Sequence, residues 1–166
     1  MYDYVLQYGF DHESKNYIQS IKDYLKNNGI IDKERNWLPH ITIDLYNCKN
    51  KKEFIETLDK IIEKINTFDI DFKNLNTFNN ETLYIEPYNK EKLMELKQYF
   101  NNELNSYMLE KRRERKYIPH ATLCTSDTLD KSIELANKKF TPFKAKIKYI
   151  WVYSRDLQLI KEYNLK

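Results

Sequence analysis

The sequence predicts a protein of mixed helices and strands, built from two similar halves within a single domain. Three observations predict this architecture. The chain has 166 residues, the size of one compact domain. Segments with the alternating polarity of strands are interspersed with segments of helical periodicity. A seven-residue pattern centred on a histidine also occurs once in each half.

The first half is predicted to run strand, helix, strand, helix, strand. Aromatic and β-branched residues indicate the strands, and apolar residues three or four positions apart indicate the helices. Gly29 is placed to end the first helix, and Asn50 followed by Glu53 is typical of a helix start. The five elements are a strand at 4–10, a helix through 17–25, a strand at 40–46, a helix from residue 50 and a strand at 68–78.

The second half is predicted to repeat this order. Its elements are a short strand at 82–86, a long helix from about residue 89 to 107, a strand at 120–124, a helix at 129–140 and a long strand at 143–153. A last strand at 157–163 is expected to pair back onto the chain. We place the two lobes at about 1–79 and 80–166, with the last strand able to cross to the first lobe.

The repeated pattern is the most informative feature of the sequence. Residues 37–43, Trp-Leu-Pro-His-Ile-Thr-Ile, match residues 117–123, Tyr-Ile-Pro-His-Ala-Thr-Leu. Alternate side chains of an extended strand face the same way, so His40 should share a face with Thr42 and His120 with Thr122. If a pseudo-twofold axis relates the lobes, the two pairs meet across a central cleft.

Two imidazoles and two hydroxyls around one small volume suit phosphodiester chemistry. A neutral imidazole can accept a proton from the nucleophile while an imidazolium donates one to the leaving oxygen. Threonine hydroxyls can donate hydrogen bonds to the phosphoryl oxygens. A single strand histidine is more often structural, but the two copies account for two of only 3 histidines. We therefore predict His40 and His120 as catalytic, Thr42 and Thr122 as phosphate-binding, and neither a metal nor another cofactor.

Several further residues are weaker candidates. Tyr84 lies on the polar face of its strand, where it either stacks on a base or packs within the sheet. Asp44 and Cys124, each two residues beyond a motif threonine, are expected to face the cleft in structural roles. The basic run at 111–116 leads into the second motif and either guides a phosphate backbone or forms a solvated loop. Within that run, Arg115 is the candidate for substrate binding.

Composition limits the class of protein and its expected cellular location but does not identify a substrate. A net charge of +3 permits a phosphate-bearing substrate but does not by itself indicate a nucleic-acid binder. The 2 cysteines are too few for a disulfide scaffold. We see neither a signal peptide nor an apolar run near the ~20 residues that span a membrane. A cytoplasmic monomer is expected.

The paired His-x-Thr segments resemble those of the 2H phosphoesterase superfamily, which includes 2′,5′ RNA ligase-like proteins and cyclic nucleotide phosphodiesterases. The resemblance covers nearly the whole chain and implies an α+β, bilobal fold with a concave antiparallel sheet and outer helices. It also implies a metal-independent phosphodiesterase acting on an RNA end, a 2′,3′-cyclic phosphate or a 2′,5′ linkage. Two alternatives stay open: a hydrolase of cyclic di- or trinucleotide signals, and a non-catalytic RNA or nucleotide binder with the same fold.

Overall fold

The structure, a computed structural model, describes residues 1–166 and contains seven strands and four helices. The strands are β1 (Tyr4–Phe10), β2 (His40–Tyr46), β3 (Phe68–Phe78), β4 (Thr82–Pro87), β5 (Ala121–Thr125), β6 (Phe143–Ser154) and β7 (Leu159–Asn164). The helices are α1 (His12–Asn27), α2 (Lys51–Ile62), α3 (Glu91–Glu103) and α4 (Leu129–Lys139). The predicted α+β class and the order of its elements are therefore confirmed.

All seven strands form one antiparallel sheet in the order β2-β1-β6-β3-β4-β5, with β7 paired to the second part of β6. The sheet curves until its two edge strands, β2 and β5, lie close to each other. A direct link joins these edges, because the Tyr117 hydroxyl donates a hydrogen bond to the Thr42 carbonyl at 2.8 Å. The expected concave antiparallel sheet is thus present, and its curvature brings the two motifs together.

Helix boundaries follow from local sequence signals. Asp11 caps α1 by accepting a hydrogen bond from the Ser14 backbone N–H at 3.0 Å. Asn50 caps α2 in the same way through the N–H of Glu53, as its sequence spacing indicated. The prediction that α3 extends to residue 107 was wrong. The chain leaves α3 after Glu103 and turns, so that Tyr107 packs against Phe54 of α2 with a centroid distance of 5.0 Å.

The first helix of each half packs beneath the motif strand of the other half. Helix α1 contacts β5 and α4, and its Tyr17 hydroxyl accepts a hydrogen bond from the N–H of Thr141, just after α4, at 2.9 Å. Helix α3 lies under β2 and α2, where the Tyr99 hydroxyl donates to the Ile61 carbonyl at 2.9 Å. One apolar core of 34 buried residues joins these layers, so the halves share their interior.

The last strand lies beside the first half. In β7, the side chains of Lys161 and Tyr163 both donate hydrogen bonds to Asp59 of α2. Just before β3, the backbone N–H of Thr67 donates to the carbonyl of Lys166 at 3.1 Å. None of the four helices has the length and apolar composition that crossing a bilayer requires.

Candidate active site

A bulge follows the threonine of each motif at the same position. In β2, Gln7 lies opposite Thr42 while Leu6 lies opposite Asp44, which leaves Ile43 as the extra residue. In β5, Tyr84 lies opposite Thr122 while Leu83 lies opposite Cys124, which leaves Leu123 as the extra residue. The side chains therefore alternate regularly between the two faces of the sheet from the histidine to the threonine of each motif. The extra residue after the threonine interrupts this alternation.

Both motif histidines are oriented by the same hydrogen bond. The Nδ1 atom of His40 lies 2.7 Å from the Leu38 carbonyl oxygen, and the Nδ1 atom of His120 lies 2.7 Å from the Ile118 carbonyl oxygen. A carbonyl can only accept, so Nδ1 carries the hydrogen in each ring. The Nε2 atom of each ring is therefore left to accept or donate a proton.

A proline separates each of these carbonyls from its histidine. The residue before a proline is restricted to extended conformations, so Pro39 and Pro119 limit the backbone that presents the carbonyl. The repeated aliphatic-Pro-His sequence is therefore a local device for fixing the tautomer and direction of an imidazole.

The motif side chains lie around a cavity of about 450 Å³, here called the cleft cavity, although His40 is not among the residues that line it. It is bordered by His120 and by both threonines, whose hydroxyls make no hydrogen bond within the protein. His40 lies close enough that the positive charge of His120 would lower its pKa. The structure thus places three of the four residues that the sequence singled out at one cavity and His40 beside it, and the two hydroxyls and two Nε2 atoms make no hydrogen bond within the protein.

Burial dominates the ionisation of both histidines. It lowers the pKa of His40 to about 4, and the positive charges of Lys22 and His120 act in the same direction. Burial also lowers the pKa of His120, where the charge of Arg115 adds to the effect and that of Glu34 opposes it. At neutral pH both rings are therefore neutral in the unliganded protein.

Asp44 borders the cleft cavity, as expected, but it is engaged by other side chains. It is 2% exposed and forms ion pairs with Lys97 of α3 and with Arg112. Burial alone would raise the pKa of Asp44, but the hydrogen bonds from Lys97, Leu45 N–H and Arg112 lower it. Asp44 is therefore shared by two cations beside the cleft, and it ties β2 to the chain that covers it.

Basic residues also line the cleft cavity. Arg115 and Lys116, from the run at 111–116, border it, and neither forms an ion pair. Arg112 forms an ion pair with Asp44, and Arg113 pairs with Glu110. Of the predicted run, the last two residues are thus the ones available to a phosphate.

The expectation that Cys124 faces the cleft was wrong. Cys124 is not among the residues that line the cleft cavity, and it borders a second cavity beneath α1 instead. Its thiol is 2% exposed, and burial raises its pKa. A neutral, buried thiol matches the structural role that was predicted for it.

Aromatic rings flank each histidine. The Trp37 ring lies 5.8 Å from the His40 ring, and the Phe78 ring lies 4.9 Å from the His120 ring. Tyr84 lies 5.3 Å from His120 but is only 4% exposed, because Phe78 packs on it at 5.0 Å. Phe78 therefore presents more surface to a ligand than Tyr84 does.

Sequence reasoning missed Phe78 because it ends a strand with no motif around it. The signal was the following Asn79-Asn80 pair, both of which adopt positive φ. Such a pair favours a tight hairpin turn, and this turn holds Phe78 and Asn79 at the edge of the cleft cavity. No three His, Cys, Asp or Glu side chains lie close enough together to hold a metal ion.

Comparison with solved structures places this geometry in a known fold. Escherichia coli LigT in complex with 3′-AMP aligns with a TM-score of 0.68 at 10% identity, covering 99% of this chain and 98% of that one. The protein TT0787 of Thermus thermophilus aligns with a TM-score of 0.69 at 9% identity, covering 98% and 97%. LigT in complex with ATP gives 0.62 at 11% identity, covering 99% and 98%. The chain therefore has the LigT-like fold.

The sequence itself matches the 2′-5′ RNA ligase superfamily over residues 10–159. This match spans most of the chain, and the protein belongs to that superfamily, which is the 2H phosphoesterase group that its motifs resemble. A comparison with curated proteins gives no significant match.

Proposed function

We propose that this protein is a phosphodiesterase that cleaves a nucleotide or RNA phosphodiester at an RNA end, a 2′,3′-cyclic phosphate or a 2′,5′ linkage. The single observation that carries the proposal is the matched orientation of His40 and His120. Each ring gives its Nδ1 hydrogen to its own backbone and leaves Nε2 for acid/base chemistry, beside two unpaired threonine hydroxyls. Its superfamily membership and the nucleotides bound by LigT support the same substrate class.

In the proposed reaction, one neutral imidazole removes a proton from the attacking hydroxyl or water as the new P–O bond forms. The other imidazole, protonated, donates a proton to the oxygen that leaves as the old P–O bond breaks. Thr42 and Thr122 donate hydrogen bonds to the non-bridging oxygens. A bound phosphodiester anion favours the charged form of a neighbouring imidazole, so the substrate itself raises the pKa of the histidine that must be protonated.

The charges around the rings favour His40 as the base and His120 as the acid. After burial, Lys22 is the next charged side chain that lowers the pKa of His40, which keeps this ring neutral. Glu34 borders the cleft cavity and opposes the loss of the proton from His120. Arg115 acts against this preference at His120, so the assignment rests on the balance of both environments.

Alanine variants test the pair. We expect His40→Ala and His120→Ala each to lose about 10²–10⁴-fold in kcat while staying folded, because each removes one proton transfer. The double variant should be little worse than either single one, since the two groups act as a unit. A single variant that keeps nearly the wild-type rate would remove that histidine from the mechanism.

A change of leaving group separates the acid from the base. A p-nitrophenyl ester of a nucleotide needs little protonation as it leaves, so His120→Ala should recover most of its rate on that substrate. His40→Ala should lose as much on the activated ester as on a ribose-linked diester. The reverse pattern would exchange the two roles. Binding of a dinucleotide without turnover of any of these diesters would instead make the protein a non-catalytic binder.

Metal independence is tested on the same diesters. The cleft residues offer two imidazoles and no supporting carboxylate free of ion pairs except Glu34, whereas a catalytic zinc takes three protein ligands. We expect the rate to be unchanged in excess chelator. Loss of activity that an added divalent ion restores would make the histidines metal ligands and contradict the acid/base mechanism.

A further inference from the structure

The two cavities beside the motif strands correspond to each other but differ in charge. Each lies next to an edge strand and beneath the chain that leads into a motif: residues 108–119 cover the cleft cavity beside β2, and residues 29–36 cover the second cavity beside β5. We call the second one the α1 cavity; its volume is about 630 Å³. Glu34 borders both cavities, so they adjoin.

A lysine borders each cavity, and in each case it comes from the helix that the other half of the chain contributes. In the cleft cavity, Lys97 of α3 forms an ion pair with Asp44, which it shares with Arg112. In the α1 cavity, Lys22 of α1 has no ion pair and no hydrogen bond, although it is half-buried between Ile21 and Leu25. The residue that corresponds to Asp44 in the second motif is Cys124, whose thiol carries no charge to offset that of Lys22.

The carboxylates around Lys22 do not replace this missing partner. Asp23, Asp32 and Glu34 face it, but none lies within ion-pair distance. Asp32 accepts hydrogen bonds from the backbone N–H groups of Glu34 and Thr125, both at 3.0 Å, and Glu34 accepts one from the Thr125 hydroxyl at 3.2 Å. Asp32 and Glu34 therefore hold the covering loop on β5. Burial lowers the pKa of Lys22, although the charges of Asp32, Glu34 and Asp23 oppose this shift.

A cation that is half-buried and unpaired in a cavity is a poor arrangement for stability alone. It becomes favourable when an anionic ligand supplies the partner. Lys22 is close to the reaction centre, because it borders the α1 cavity together with Leu123, the neighbour of Thr122, and with Glu34, which also borders the cleft cavity. Its charge also lowers the pKa of His40. Cavities of this size hold a nucleotide-sized group.

We propose that Lys22 binds a second phosphate group of the substrate, in the α1 cavity next to the diester held between the two histidines. This proposal rests on the proposed function and narrows its substrate class to diesters that carry at least one further phosphate. That phosphate is either a terminal monoester or the second diester of a cyclic dinucleotide. A diester with a single phosphate lacks the group that Lys22 recognises.

Binding measurements on an inactive protein test the proposal independently of turnover. In the His120→Ala background, calorimetry would compare 2′,5′-linked diadenosine monophosphate, the same compound with a 5′-phosphate, and cyclic diadenylate. A charge-assisted hydrogen bond is typically equivalent to about 10- to 100-fold in affinity. We expect the 5′-phosphorylated ligand, the cyclic ligand or both to bind at least about tenfold tighter than the single-phosphate ligand. The ligand that does so identifies the source of the second phosphate.

Substitution of Lys22 should remove this advantage selectively. Lys22→Met should bring the tighter ligand to the affinity of the single-phosphate one, and Lys22→Arg should preserve most of the difference. Lys15→Met, near the start of the same helix and outside both the α1 cavity and the cleft cavity, makes the same charge change. It should leave the difference in affinity between the ligands within about twofold, because a charge at the surface away from the cavity contributes little.

Three results would overturn the proposal: no preference for a second phosphate, equal weakening of all three ligands by Lys22→Met, or an equal effect of Lys15→Met. Turnover of the same compounds by the wild-type protein is measured separately. If none is cleaved, the proposed phosphodiesterase activity fails, whereas the proposed phosphate site is still decided by the affinities.

Discussion

Each motif histidine takes its chemical role from a contact within its own segment. The ring of His40 or His120 bonds to the carbonyl two residues earlier, so neither needs a separate carboxylate to fix its tautomer. A few consecutive residues therefore fix the tautomer of each ring and direct its Nε2 atom toward the substrate. This local arrangement explains how the same motif functions in two different halves with different surroundings.

The motif threonines permit a conservative test at this scale. Thr42→Val and Thr122→Val keep the branched shape that suits a strand but remove a hydroxyl that has no partner in the protein. By analogy with an oxyanion donor, each should raise the activation barrier by at most about 2.7–4 kcal/mol. Steady-state kinetics and thermal unfolding would be measured together, and little change in unfolding is expected.

Serine provides the matched control for these variants. Thr42→Ser and Thr122→Ser keep the hydroxyl and lose only a methyl group, so they should retain most of the wild-type rate. Full activity in both valine variants would show that the hydroxyls do not bind the phosphate.

At the scale of elements, β1 and β6 pack closely together in the part of the sheet beside His40. Gly9 pairs with His40 on one side and with Tyr149 on the other. The Trp151 ring lies over Gly9 so closely that an added Cβ would be 2.6 Å from it. The indole Nε1 donates to Glu162 of β7 at 2.8 Å, which holds the ring in place.

This contact predicts a coupled pair of variants. Gly9→Ala should destabilise the protein by about 1–3 kcal/mol because the core there has no room for a methyl group. The penalty should be smaller in a Trp151→Leu background, where the obstructing ring is gone. Chemical denaturation of the four proteins in the cycle gives the coupling energy, and strictly additive effects would contradict the proposed clash.

The elements also show what the sequence can and cannot predict. Alternating polarity located the strands, and the repeated motif located His40 and Thr42, because both signals are local. The surroundings of Cys124 depend on α1 and the loop after it, which form a separate cavity with this residue, and no pattern within β5 reveals that contact. Similarly, Lys22 looks like any helix lysine until α1 is packed beneath the other half, since that contact depends on the whole topology.

At the scale of the whole molecule, the half-buried motif histidines link stability to pH. Burial lowers the pKa of His40 from 6.5 to about 4, and lowers that of His120 in the same direction. As the pH falls below about 6.5, the unfolded chain binds protons that the folded protein does not, so the free energy of unfolding decreases. For His40 this decrease should extend down to about pH 4.

Urea unfolding at about pH 7, 5.5 and 4.5 would measure this effect. His40→Gln should reduce the loss of stability between the first and last of these pH values, because the substituted side chain does not titrate. His12→Gln, at the exposed start of α1, is the matched control and should follow the wild-type curve. Parallel curves for His40→Gln and the wild type would contradict a buried neutral ring at position 40.

The first helix of each half packs against the other half, and this arrangement has a consequence for folding. Helix α1 completes its packing only when β5 and α4 are in place, and α3 only when β2 and α2 are. Neither half has a closed core of its own, and most of the decisive contacts join distant parts of the chain, which is typical of slow, all-or-none folding. The histidines should therefore gain and lose their arrangement together with the entire chain, without a half-formed state in which one motif is assembled alone.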